Sequence, residues 1–301
     1  MKIIITGSLG HISKPLAEIL VRGGHQVTVI SSDSKKINTI EALGARAAIG
    51  SVSDTGFLKK TFENADAVYT MVPPEWTTPD YMQFIRQTGE NYFNALKASG
   101  VKRVVNLSSI GADLDKGTGP IAGLHEVEEK LNALENADVI HLRPGYFYTN
   151  FFFDIPMIRN MGVLGSNYSS TTRILMAHPK DIAAVAAEEL QGSSKGKTHR
   201  YIICDDREAA DVARVLGTSI GNPALPWVQF SDADAFEGMK GAGLSESIAR
   251  LYVEMGRSFN SGIAFEDFNR QGKKDWGSTK LTEFANEFAA AYNSANKPQA
   301  V

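Results

Sequence analysis

The stretch Lys2-Ile3-Ile4-Ile5-Thr6-Gly7-Ser8-Leu9-Gly10-His11-Ile12-Ser13 reads as a buried strand that runs into a glycine turn and then a helix. The strand ends at Thr6. Gly7 permits a sharp turn, and Gly10 lets backbone approach a ligand with no side chain between them. A helix starting here presents unpaired N–H groups and the positive end of its dipole, a combination that suits a phosphate. The spacing is Gly-x-x-Gly-x-x-Ser, with Ser13 where a dinucleotide-binding turn usually carries a third glycine. The string alone also fits an ordinary strand–turn–helix corner. The apolar strand before it and the helical pattern after it favour the pyrophosphate reading.

Outward from this turn, short apolar runs alternate with helical patterns, as in a parallel sheet covered by helices. Strand one is Lys2–Thr6, and the helix Ile12–Arg22 ends at Gly23-Gly24. Strand two is Gln26–Ser31, followed by a short helix over Lys36–Leu43. Strand three is Ala45–Ile49, and Asp54 can cap a helix over Phe57–Glu63. Strand four, Ala67–Met71, stops at Pro73-Pro74. A long amphipathic helix over Asp80–Ala98 closes at Gly100. Strand five is Arg103–Leu107, His125–Leu134 lies in a helix, and strand six is Val139–Arg143. After Arg143-Pro144-Gly145 the texture changes to an aromatic run, Tyr146 to Phe153. A helix over Asp181–Leu190, with Asp181 as its cap, and a strand over Arg200–Cys204 follow. His178, before Pro179, is placed in a loop joining two lobes, and the tail Asn293–Val301 is expected to be loose. The expectation is an α/β chain: a doubly wound parallel-sheet Rossmann fold over residues 1–150 with a small C-terminal α/β lobe. That substrate lobe covers mainly 151–292, with segments around 181–204 returning to the first unit.

Composition narrows the function. The 301 residues are 43% hydrophobic and 22% charged, a globular mixture. Net charge is -3 with no long basic run, which argues against nucleic acid as a partner. No apolar stretch reaches the ~18 residues of a membrane span. Strand one starts at Lys2, leaving no room for a leader, so a cytoplasmic location is expected. Cys204 is the single cysteine and reads as a core strand residue.

The strand ends carry the chemistry. Ser31-Ser32-Asp33-Ser34-Lys35-Lys36 closes strand two, where NAD-selective folds commonly place an acid for the ribose 2′-hydroxyl. Small hydroxyls followed by lysines suit a 2′-phosphate. Asp33 argues for NAD unless it caps the next turn, so NADP is the expected cofactor and NAD stays possible. Ser108 and Ser109, after strand five, lie where such folds place ligands. Among the aromatic run, Tyr148 and Asn150 are the polar members, and Trp76 could border the cleft. No metal site is read.

Together these residues resemble the NmrA-like branch of the atypical short-chain dehydrogenase/reductases. The resemblance rests on Thr6-Gly7-x-x-Gly10, Gly50-x-x-x-Asp54, Ser108-Ser109, His125-x-x-x-Glu129, Leu142-Arg143-Pro144-Gly145 with Tyr148 and Asn150, and Asp181-Ile182-Ala183. It covers residues 2–190 well and the remainder in layout. It implies an NAD(P)-binding Rossmann fold with a cleft against a small lobe. On the strand-end rule and this resemblance, the cofactor is expected to meet Thr6, Gly7, Leu9, Gly10, His11 and Ile12 in the turn. It is also expected to meet Ser31, Ser32, Lys35, Met71, Val72, Pro73, Ser108, His125 and Tyr146. The catalytic candidates are His125, Ser108 and Tyr148.

Three departures from the family pattern stand out. Counting back from Glu129, His125 occupies the lysine position and Ile121 the tyrosine position of Tyr-x-x-x-Lys, so no phenol can donate a proton. Ser13 replaces the third glycine and is expected to crowd the turn. Ser51 stands where the family usually has an acid near the adenine. Two functions follow. One is an NAD(P)H-dependent reductase of a quinone-like or other planar carbonyl compound, in which hydride transfer needs no protein acid. The other is a non-enzymatic NAD(P)-sensing regulator that acts through a protein partner.

Overall fold

The computed structural model describes residues 1–193, 195–271 and 276–294. Its strands are β1 (Lys2–Ile5), β2 (Gln26–Ser31), β3 (Arg46–Ile49), β4 (Ala67–Thr70), β5 (Arg103–Leu107), β6 (Asp138–Pro144), β7 (Tyr146–Phe147), β8 (Leu164–Ser166), β9 (Arg173–Ala177), β10 (Lys197–Ile202), β11 (Asp205–Glu208) and β12 (Trp227–Gln229). Its helices are α1 (Ser13–Arg22), α2 (Ile37–Ala42), α3 (Thr55–Phe62), α4 (Tyr81–Ser99), α5 (Pro120–Asn132), α6 (Ile155–Met161), α7 (Pro179–Gln191), α8 (Ala209–Ser219), α9 (Asp232–Gly241), α10 (Glu246–Ser261), α11 (Glu266–Gln271) and α12 (Leu281–Ser294).

Seven parallel strands form one sheet in the order β10-β6-β5-β4-β1-β2-β3. This is the Rossmann-type doubly wound order, with the strand sequence reversing at β1. Both faces are covered. Ile3 and Ile5 join one apolar cluster with Leu16 of α1 and Ile182 of α7, while Ile4 joins the other with Tyr92 of α4 and Leu131 of α5. A strand buried on both sides explains the continuous Ile3-Ile4-Ile5 run. β10 pairs with β6, Lys197 opposite Val139, and α7 packs against α1. A three-stranded sheet, β11-β9-β7, and a β12-β8 pair lie outside this frame.

Capping follows local chemistry. Asp54 accepts the Phe57 N–H at 3.0 Å, and Asp80 accepts the Gln83 N–H at 2.9 Å. Gly100 closes α4 in the left-handed region at φ 68°. The segment over Lys36–Leu43 is a 3-10 turn, Ser34–Lys36, leading into α2. Two expectations need correction. Asp181 does not cap α7: the helix starts at Pro179, and His178 is its cap, the ring Nδ1 accepting the Lys180 N–H at 3.0 Å. Proline is at home in a first helical turn, where its missing N–H costs nothing. The Asp181 carboxylate turns instead to the N–H of Ser278 at 2.7 Å and of Thr279 at 3.3 Å. Asn293 and Ser294 continue α12 rather than a loose tail, and residues 295–301 lie outside the described residues.

Candidate functional site

The turn after β1 is built around missing atoms. Gly7 sits at φ 86°, and a Cβ there would stand 2.6 Å from the Ser13 Oγ. That space lets the Ser13 hydroxyl donate to the Thr6 carbonyl at 2.8 Å, so serine braces the turn it was expected to crowd. Ser8 is also left-handed, at φ 55°, and its Oγ donates to the Ser31 Oγ at 2.9 Å. The Thr6 hydroxyl oxygen accepts the Met71 N–H at 3.0 Å, tying the ends of β1 and β4 together. Gly10 donates to the Gly7 carbonyl at 3.1 Å. Among the described residues, no acceptor takes the N–H of Leu9, His11 or Ile12, and Ile12 offers no side-chain cap. These outward amides at the start of α1 fit a pyrophosphate.

Around this turn the other strand ends converge. Ser32 and Lys35 are exposed beyond β2, and Ser31 is buried. The Asp33 carboxylate accepts the Lys35 N–H at 2.9 Å, so it serves as a cap for the 3-10 turn. Met71, Val72 and Pro73 are half-buried after β4, with the Met71 side chain over Gly7. Ser108, after β5, has a buried hydroxyl without a hydrogen-bond partner among the described residues. An unpaired buried hydroxyl is costly and fits a polar ligand atom.

The remaining candidates separate. Ile121 is buried, and His125 Nδ1 bonds the Ala112 carbonyl at 2.9 Å, holding the loop after β5 to α5. The His125 ring borders a polar pocket with Glu128, His141, Arg143 and Asp267. There the Arg143 guanidinium donates to both Glu128 oxygens, at 3.0 and 2.6 Å. Burial opposes the Arg143 charge, but the hydrogen bonds to Glu128 outweigh it and keep the guanidinium firmly protonated. His11 faces a separate cleft of about 290 Å³ with Lys14, Glu18, Thr149 and His178. Tyr148 is fully buried, stacks on Phe284, and its hydroxyl donates to the Thr279 carbonyl at 3.4 Å. It belongs to the core beneath α12 and does not face a cleft. Burial pushes the Cys204 thiol up to about 12, in keeping with a core residue.

A buried polar chain crosses the sheet. The Thr70 hydroxyl donates to Asn106 Oδ1 at 2.9 Å, and Asn106 Nδ2 meets His141 Nδ1 at 3.2 Å. His141 Nε2 meets Asn132 Oδ1 at 3.0 Å. The partners assign the neutral tautomer protonated on Nε2. Burial, first of all, lowers the His141 pKa to about 4.

Sequence reasoning missed how aromatic rings far apart in the chain group together. Trp76, beyond β4, lies 6.4 Å from Phe153 and 6.1 Å from Tyr252 of α10, measured between ring centroids. Tyr146 and Tyr168 both contact Phe259, and burial, first of all, holds both phenols well above their ordinary range.

The model of the NAD(P)H-binding family matches residues 7–191. An isoflavone reductase homologue of Nicotiana glauca is 28% identical over 195 residues, 60% of this chain and 59% of that protein. In fold, the chain is similar to an NADPH-dependent quinone oxidoreductase of Escherichia coli solved with NADPH. Identity is 21%, TM-score 0.80, covering 95% of this chain and 99% of that one. It is also similar to a Citrobacter triphenylmethane reductase solved with NADP(H), at 18% identity and TM-score 0.77, covering 95% and 99%. No described helix is long and apolar enough to cross a membrane. A glycine turn with free amides on a doubly wound sheet, and a family model spanning it, lead to one conclusion: this chain belongs to the NAD(P)H-binding family, in the NmrA-like branch of the atypical short-chain dehydrogenase/reductases.

Proposed function

We propose that this protein is an NADPH-dependent reductase of a quinone-like or other planar carbonyl compound. A bound dihydronicotinamide supplies hydride. The observation that carries the reading is the open-amide turn at Gly7–Ile12, and the group of aromatic rings Trp76, Phe153 and Tyr252 beyond β4 supports a flat substrate. Residues 1–150, with 181–204, form the nucleotide unit in this reading, and 151–292 supply most of the substrate lobe. Leu9, Gly10, His11 and Ile12 hold pyrophosphate, with Thr6 and Gly7 shaping the turn. Ser31 and Ser8 set the adenosine side, and Ser32 and Lys35 take a 2′-phosphate, since Asp33 is committed to its own turn. Met71, Val72, Pro73, Ser108 and Tyr146 enclose the nicotinamide. His125 positions the loop carrying Ser108 through Ala112.

The test is NADPH oxidation, followed by loss of its absorbance, against a panel of benzoquinones and naphthoquinones. Turnover of at least one acceptor is expected. NADPH binding without turnover of any acceptor overturns the reading and supports the alternative that Ile121 favours, a nucleotide-sensing protein with a protein partner. That outcome is separable by titrating NADPH alone.

A further inference from the structure

The starts of α1 and α7 open onto one cleft of about 290 Å³. Leu9, Gly10 and His11 of the glycine turn form one side, and His178, Pro179 and Lys180 form another. Lys14 and Glu18 of α1, Thr149 of the 3-10 segment Tyr148–Asp154, and Glu287 of α12 complete it. The N–H groups of Leu9 and His11 find no acceptor among the described residues, and the Lys14 ammonium makes no ion pair there. A helix start with open amides favours an anion. The residue across the cleft is what singles this one out.

That residue is His178. It is 2% exposed, and its Nε2 is buried without a hydrogen-bond partner among the described residues. The other ring nitrogen, Nδ1, accepts the Lys180 N–H at 3.0 Å. In a neutral ring this assigns the proton to Nε2 and makes it a donor. Burial, first of all, lowers the His178 pKa and so favours the neutral ring. Tyr148 and Phe284 hold the ring edge-on, at 5.9 and 6.2 Å between centroids. A buried N–H with no acceptor is costly. Beside it stands a carboxylate. Glu287 Oε1 lies 3.3 Å from Nε2 without hydrogen bonding to it, and the same oxygen accepts from Lys180 Nζ at 3.1 Å. Glu287 and Lys180 are both exposed, so this pair is weak and the carboxylate can move aside. An oxyanion thus already marks the place, between a histidine and a lysine.

We infer that this cleft is a phosphoryl subsite: a phosphate group seated on the open amides of the turn accepts the His178 Nε2–H, meets the Lys14 and Lys180 ammonium groups, and displaces the Glu287 carboxylate. This deepens the proposed function and rests on its placement of a pyrophosphate at the turn. The phosphoryl group belongs either to the cofactor's own pyrophosphate or to a free phosphate ligand beside it, and the recognition chemistry is the same. Hydrogen bonds from N–H donors to a charged phosphate oxygen are of the strong kind. No other buried imidazole of the described chain is left with an open donor: His141 uses both ring nitrogens, on Asn106 and Asn132.

The test needs no turnover. Inorganic pyrophosphate is titrated by calorimetry and NADPH by its fluorescence, both at low salt. His178→Asn keeps an oxygen that can cap α7 but removes the Nε2 donor. It should weaken pyrophosphate at least about tenfold, since a hydrogen bond to a charged group is lost. Lys14→Gln, on an exposed side chain, should weaken it about threefold, and Glu287→Gln should tighten it about threefold. Should pyrophosphate alone bind too weakly to measure, the same three shifts are read on NADPH. Should His178→Asn fail to fold, judged by urea denaturation, the other two variants decide. Pyrophosphate that competes with NADPH, with NADPH following the same shifts, assigns the subsite to the cofactor. Pyrophosphate that binds alongside NADPH, with NADPH indifferent to the variants, assigns it to a free phosphoryl ligand. Affinities for both probes unchanged in His178→Asn and Lys14→Gln overturn the subsite, as does binding that fails to tighten in Glu287→Gln. NADPH affinity that Gly10→Val leaves unchanged overturns the placement of pyrophosphate on the turn itself, which is a separate failure. A quinone panel without turnover overturns the reductase reading and leaves these binding results standing.

Discussion

Ser8 Oγ donates to Ser31 Oγ at 2.9 Å, joining the glycine turn to the last residue of β2. Together with the Ser8 N–H bond to the Ile30 carbonyl at 3.0 Å, it fixes the turn against the end of β2, which in the proposed function sets the spacing between pyrophosphate and ribose. Ser31 is buried, and Ser32 and Lys35 stand free beyond it. NADPH should bind more tightly than NADH at low salt. The difference should shrink at high salt, because an exposed charge pair is screened. Lys35→Glu should cost NADPH roughly fivefold in affinity and leave NADH nearly unchanged. Fluorescence titration of both cofactors at two ionic strengths measures this. A preference for NADH at low salt contradicts the assignment.

Gly10→Val probes the turn itself. A Cβ at this position meets the Gly7 carbonyl oxygen at 3.2 Å, so the fold should tolerate it with a small shift. The branched side chain then stands where phosphate needs bare backbone. NADPH affinity should fall at least about tenfold, or about 1.4 kcal/mol. Unchanged affinity in a folded variant removes the turn from the nucleotide site.

The frame of this site was legible because its signals are local. Gln26–Ser31 is a strand in both readings, since β-branched residues fill a run bounded by glycines and a serine turn. Asp54 and Asp80 cap the helices that follow them within three residues. The misreadings involve partners far along the chain. Asp181 looked like a cap because an acid preceded an apolar run, but its partners are Ser278 and Thr279. Tyr148 looked like a cleft residue because it is polar, but α12 folds over it from more than a hundred residues away.

Glu128 and Arg143 offer a stability test. Both are buried, and the pair is bidentate. Removing Glu128 leaves the buried Arg143 charge with the more distant Asp267, at 3.7 Å, as its counter-ion. Glu128→Ala should lower unfolding free energy by about 3–5 kcal/mol, measured by urea denaturation. A loss below about 1 kcal/mol means that water or Asp267 replaces Glu128 as the counter-ion.

His141 predicts the acid limb of the stability curve. Its pKa is lowered from 6.5 to about 4 in the fold. Between those values the unfolded chain takes up a proton that the native state refuses. Stability is therefore lost as pH falls through this window, by an amount on the order of 3 kcal/mol. His141→Gln should flatten that slope while lowering stability at pH 7, where the Asn106 and Asn132 bonds are disturbed. Denaturation at a series of pH values reads both effects. A slope unchanged in the variant assigns the acid sensitivity to another group.

Gly119 has a reach beyond its own loop. It enters α5 at φ 61°, and a Cβ there would lie 2.0 Å from the Leu251 carbonyl oxygen on α10. The backbones of the two helices thus meet with no side chain between them. Tyr252, which follows Leu251, holds the ring that leans on Trp76. A single added methyl at position 119 would wedge against the α10 backbone and shift the helix that carries Tyr252. The seat of the Tyr252 ring against Trp76 is gauged, in effect, by a hydrogen atom on Gly119.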